Sequence, residues 1–167
     1  MSRYSPRPVT GDERIVRFVF APIHIGKSGL KPSLFSHAEN KGCSVQRASI
    51  ATDDELVRFV RTFLEQNVKC IWYGVVSALC SDIRAISAPT EKPRDRAVCV
   101  YDTAEAQNRA HAEICQARNF TEADPIEVRR ELLRLFGDGV IIDRQTYRAG
   151  GVWNAIPREL TDRVATS

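Results

Sequence analysis

The stretch Ile15-Val-Arg-Phe-Val-Phe-Ala-Pro-Ile-His-Ile-Gly-Lys-Ser28 has two readings, and they lead to different folds. Its first six residues are β-branched or aromatic apart from Arg17, a composition that favours a strand. Its last eight match the loose pattern of a phosphate-binding loop: a small residue, four spacers, then Gly-Lys-Ser. A working loop of that kind would open a helix at Lys27-Ser28 and make the protein a nucleotide-binding α/β domain. Otherwise the glycines mark a turn between extended segments, and an α+β fold follows.

The spacers decide against the loop. Backbone N–H groups must curl around phosphate oxygens, and a helix must begin at Lys-Ser so that its N-terminus faces the anion. Pro22 has no N–H, and Ile23 and Ile25 are stiff and resist positive φ. Beyond Ser28, Gly29 and Pro32 would break a helix within its first turn. Asp102, closing the apolar run Ala97-Val-Cys-Val-Tyr101, has the look of a magnesium-holding aspartate, but strands ending in Asp before a loop occur in every fold.

Further along, Ser44-Val-Gln-Arg-Ala-Ser-Ile50 predicts a short strand. A helix follows, capped by Thr52 or Asp53, with Leu56, Phe59, Val60, Phe63 and Leu64 as its apolar stripe and an end near Asn67. Residues 68–73 and 74–80 are apolar runs that periodicity leaves open between strand and helix, and 83–86 reads as an extension of one of them. Residues 87–95 predict a surface loop, and 97–101 and 110–115 predict strands. A second helix starts at Asp124-Pro125, buries Val128, Leu132, Leu135 and Phe136, and ends at Gly137. Residues 140–142 read as a strand and 157–164 as a short helix; Trp153, after the Gly150-Gly151 hinge, is expected to dock into the core. The pattern predicts one α+β domain over 13–167, a mainly antiparallel sheet with two principal helices, preceded by a flexible arm over 1–12.

A chain of 167 residues with 43% hydrophobic content can bury one core, and no apolar run approaches the roughly 18 residues of a membrane span. The polar, Pro-rich start lacks a signal-peptide pattern. The five cysteines form no Cys-x-x-Cys pair, so reduced thiols and a cytoplasmic location are expected. The net charge is +3. The excess is concentrated in residues 1–50, which carry 8 basic and 3 acidic side chains. That excess is too small to define a nucleic-acid binder.

His111-Ala-Glu113 has the His-x-Glu of zinc deaminases, but the Pro-Cys-x-x-Cys that completes such a site is missing, so neither a metal nor a cofactor is expected. Cys43, near Lys41 and Arg47, is a candidate thiolate partner for His111. Arginine far outnumbers lysine, and Arg129, Arg130 and Arg134 cluster on the second helix as candidate anion-binding residues. Tyr101-Asp-Thr followed by Asn108-Arg-Ala-His-Ala-Glu-Ile114 resembles a pattern in small uncharacterised bacterial proteins, in which a Tyr-Asp strand leads to Asn-Pro-Ala-His-Ala-x-Ile. Arg109 replaces that proline. The resemblance implies a bacterial cytoplasmic origin and an important His111, and it carries no activity.

Two functions remain. One is a binding or regulatory protein that recognises a protein or an anionic partner, nucleotide or nucleic acid included, through its arm and its arginines. The other is a small enzyme acting on a nucleotide or nucleic acid. Its site would draw on His111 as base, Asp102, Arg47 as anion clamp, and His24, His37, Ser44 and Tyr101 as binding groups. Whether these side chains converge discriminates between the two.

Overall fold

The computed structural model describes residues 2–87, 96–116 and 125–137. The expected features at 140–142, 150–153 and 157–164, and nearly all of the 87–95 loop, lie outside the described residues. Five strands form one antiparallel sheet in the order β5-β1-β4-β7-β6: β1 (Arg14–Ala21), β4 (Cys43–Arg47), β5 (Ile71–Leu79), β6 (Val98–Asp102) and β7 (His111–Gln116). With α1 (Asp53–Gln66), the short α2 (Cys80–Ala85) and α3 (Pro125–Gly137), the chain has the expected α+β fold.

The opening stretch resolves into strand and turn. The chain leaves β1 and returns as a small hairpin of β2 (Ile25–Gly26) and β3 (Gly29–Leu30), with Lys27 and Ser28 at its tip. Gly29 takes a φ of +102°, a value open to glycine at little cost and suited to closing a tight hairpin. No helix starts at Lys27-Ser28; the next element is a single 3₁₀ turn, Pro32–Phe35.

Alternation along the strands separates two faces. Ile15, Val19, Val45, Val76, Val98, Val100, Ala112 and Ile114 pack one face against Leu34 and Phe35, Ile83 of α2, and Val128, Leu132 and Phe136 of α3. On the other face, the β1–β5 half (Val16, Phe18, Phe20, Trp72, Val75) meets Leu56, Val60 and Leu64 of α1. A capping box starts α1: the Thr52 hydroxyl accepts from the Glu55 amide, and the Glu55 carboxylate accepts from the Thr52 amide at 3.0 Å. No helix among the described residues is long and apolar enough to cross a membrane.

Residues 68–80 correct the sequence reading. The two expected segments form one strand, β5, and residues 83–86 fall largely in α2 instead of extending it. In β5, Val19 faces Gly74 while Phe20 faces Trp72, so Tyr73 is the extra residue of a bulge.

Next to that bulge, the Phe20 amide donates to His24 Nδ1 at 3.2 Å, and the buried imidazole contacts the rings of Phe20 and Phe63. Burial above all, with repulsion from Arg17 and His37, pushes its pKa from 6.5 down to about 4. The unfolded chain takes up this proton near pH 6.5, whereas the folded chain resists it until about pH 4. The contribution of neutral His24 is therefore complete above about pH 6.5 and is lost as pH falls toward 4, an effect on the order of 3 kcal/mol. Urea midpoints measured from pH 7 to 4 will fall more steeply for the parent chain than for His24→Phe. Equal slopes would show that His24 does not titrate in this way.

Candidate functional site

Strand alternation divides the residues singled out from the sequence. On β4, Cys43, Val45 and Arg47 point into the core that α3 covers, and Ser44 and Gln46 point to the opposite face. On β7, Ala112 and Ile114 join the core, so His111, Glu113 and Cys115 share the face of Ser44. Tyr101 faces the same way, whereas Asp102 lies on the side of Val98 and Val100. Ser44, Tyr101 and His111 are thus brought onto one face, and Arg47 and Asp102 are on the other.

Arg47 is fully buried, with 0% exposure. Its Nε and Nη2 donate to the two Glu13 carboxylate oxygens at 2.8 and 2.7 Å. Nη2 also donates to the Pro8 carbonyl at 3.0 Å, and Nη1 to the Arg7 carbonyl at 2.8 Å. Asp102 stands 3.5 Å from Nη1. All the donor directions of the guanidinium fork are taken, so as placed Arg47 offers no open side to a ligand anion. It holds residues 5–8 of the arm against the end of the sheet, and the Ser2 hydroxyl adds a bond to the Ala104 carbonyl. Burial raises the Glu13 pKa, but hydrogen bonds from Arg47 and the Thr10 amide outweigh it and hold the carboxyl below its ordinary value.

The other candidates are dispersed. His24 belongs to the aromatic group at the end of β1 and shares no contact with His111. His37 is exposed, and its carbonyl accepts the amides of Asn40, Lys41 and Gly42. Cys43 lies on the core face, where burial raises its thiol pKa, and does not pair with His111. On α3, Arg129 faces Glu39 at 3.6 Å, Arg134 faces Glu131 at 3.0 Å and Arg130 pairs with Glu127. Each arginine of that cluster has a carboxylate beside it. Among the described residues, no three His, Cys, Asp or Glu side chains gather as metal ligands.

On the shared face His111, only 9% exposed, bridges two strands. Its Nδ1 lies 2.9 Å from the Thr103 hydroxyl and 3.2 Å from the Thr103 carbonyl, and its Nε2 lies 3.2 Å from the Ser44 hydroxyl. A carbonyl can only accept, which assigns the proton to Nδ1 and leaves the Nε2 lone pair to accept the Ser44 O–H. Gln46, opposite His111 in the strand register, is fully buried, and its amide nitrogen and oxygen have no hydrogen-bond partner among the described residues.

A recess of about 360 Å³ opens beside this group. Glu39, Asn40, Lys41 and Gly42 form its rim, and Tyr101, Thr103, Glu113 and Cys115 line it from β7 and the β6 side. Gly42 has a φ of +82°, and a Cβ there would lie 2.8 Å from Glu113 Oε2. Only glycine combines this backbone angle with so close a carboxylate. The Glu113 carboxylate forms no hydrogen bond or ion pair among the described residues.

Sequence reasoning reached Ser44, Tyr101 and His111 but passed over Thr103, Gln46, Gly42 and Glu113 as parts of one site. Alternation in Ser44-Val-Gln46 and His111-Ala-Glu113 was the available signal, and it needs the strand register to become a site. No family model matches the chain, and neither a curated protein nor a solved structure matches it.

Replacing Arg47 by methionine will strand Glu13 without its partner and release the arm. A loss of about 3–5 kcal/mol is expected in chemical denaturation, with faster proteolysis near residue 8. Adding Glu13→Leu should restore most of that stability, because the buried charge is then gone. A single substitution costing under about 1 kcal/mol would show that the ion pair does not anchor the arm.

Proposed function

We propose that this protein is a binding protein that receives a basic side chain, lysine or arginine, of a protein partner in the recess beside Gly42. The observation that carries this reading is the Glu113 carboxylate, half-buried against Gly42 and without a partner among the described residues. A carboxylate partly removed from water gains most from a cation that can also hydrogen-bond to it. Tyr101, 51% exposed, adds an aromatic ring to the lining, and the volume lies in the range of small-ligand pockets. An anionic partner at the α3 arginines is less well supported, because Glu39, Glu127 and Glu131 already stand beside them. The enzyme that combined Arg47, Asp102 and His111 lacks support for the same kind of reason: these groups occupy opposite faces of the sheet.

Titration of ¹⁵N-labelled protein with N-acetyl-arginine amide tests the reading directly. Shifts are expected at Gly42, Tyr101 and Glu113, weakening at higher salt, with at least a tenfold loss of affinity in Glu113→Gln. The proposal fails if N-acetyl-glutamate or inorganic phosphate moves these resonances and the arginine compound does not.

A further inference from the structure

Beside the recess lies a set of groups that binding alone does not need. A serine hydroxyl is a weak nucleophile until an adjacent base takes its proton and a third group holds that base in orientation. Ser44 Oγ, His111 Nε2 and the Thr103 groups at Nδ1 supply this order, with contacts of 3.2 Å on the serine side and 2.9 and 3.2 Å on the threonine side. The arrangement rests on secondary structure: Ser44 is paired opposite Glu113 and Gln46 opposite His111 across two central strands. Gln46 contributes a second, independent observation. Its amide is fully buried, unbonded among the described residues, and carried on the same face two residues from Ser44. An amide N–H on the same strand face as a nucleophile and its base is a candidate donor for an oxyanion developing on the substrate carbonyl.

We propose that Ser44 is a nucleophile toward carboxylic esters, with His111 as its general base and acid, Gln46 as oxyanion donor and Thr103 as a positioning residue. Ser44 Oγ attacks the ester carbonyl carbon while its proton passes to His111 Nε2. The bond to the leaving oxygen then breaks, and the departing alkoxide takes that proton. Water attacks the acyl-Ser44 carbonyl, yields a proton to Nε2, and the carboxylic acid leaves as Ser44 Oγ is reprotonated. Thr103 offers an uncharged carbonyl and hydroxyl, where a carboxylate would stabilise the imidazolium better, so turnover should be slow. The inference does not depend on the Glu113 recess and can fail separately from it.

The full chain is incubated with diisopropyl fluorophosphate, from which Ser44 Oγ displaces fluoride, and followed by intact mass and peptide mapping. One adduct on Ser44 is expected, absent in Ser44→Ala and formed at least a hundredfold more slowly in His111→Gln. Gln46→Leu should slow p-nitrophenyl acetate hydrolysis at least tenfold while the protein stays folded by circular dichroism. Thr103→Val, which loses the hydroxyl contact at His111 Nδ1 but keeps the carbonyl, should slow labelling, though by less than His111→Gln does. Absence of an adduct on the parent protein overturns the proposal however the variants fold. So does an adduct on another residue, or equal rates in parent and a folded His111→Gln.

Discussion

The rest of the structure depends on the buried guanidinium of Arg47. A charge out of water is tolerated only when it is paired and its donors are bonded. At the end of β4 this requirement draws in Glu13, just before β1, the carbonyls of Arg7 and Pro8, and Asp102 at the end of β6. One side chain thus ties together the arm, the start of the first strand and the far edge of the sheet. It also fixes which way β4 faces. With Arg47, Val45 and Cys43 directed into the core, Ser44 and Gln46 have to point away from it.

That choice of face determines the chemistry available. A one-residue slip of β4 would bury Ser44 among the apolar residues of α3 and turn Arg47 toward His111, the arrangement an anion-binding enzyme would need. The actual register places a hydroxyl, an amide, an imidazole and a carboxylate on one face, and gives the fully buried Arg47 to the scaffold. Polar residues on adjacent strands therefore separate into a structural group and a candidate functional group according to parity.

Local signals carried much of the fold into the sequence. The apolar run of β1, the stripe and Thr52 cap of α1, and the Pro125 start and Gly137 end of α3 each follow from residues a few positions apart. Residues 68–80 were harder, because Trp72 and Val75 pack on α1 while Val76 and Ala78 face the other core. Such a strand shows no alternation of apolar and polar residues, and Gly74, which reads as a break, sits beside a bulge in a continuous strand. The site was legible only in part for a different reason. Ser44, Tyr101 and His111 are chemically conspicuous, but Gln46 and Thr103 gain significance only from long-range strand pairing, which no short window contains.

Gln46 is the point at which stability and function diverge. Its neighbour across β1 is Val16, part of the apolar cluster under α1, so a leucine would suit the position sterically. Its amide finds no partner among the described residues, and a buried amide left unbonded costs on the order of 1–3 kcal/mol relative to a bonded one. It lies where the apolar half of the sheet face, covered by α1, gives way to the polar strip of Ser44, His111 and Glu113. A residue unfavourable for packing, at that boundary and opposite the histidine that is bonded to Ser44, is more economically explained by what it can donate to a reacting carbonyl than by the core it interrupts.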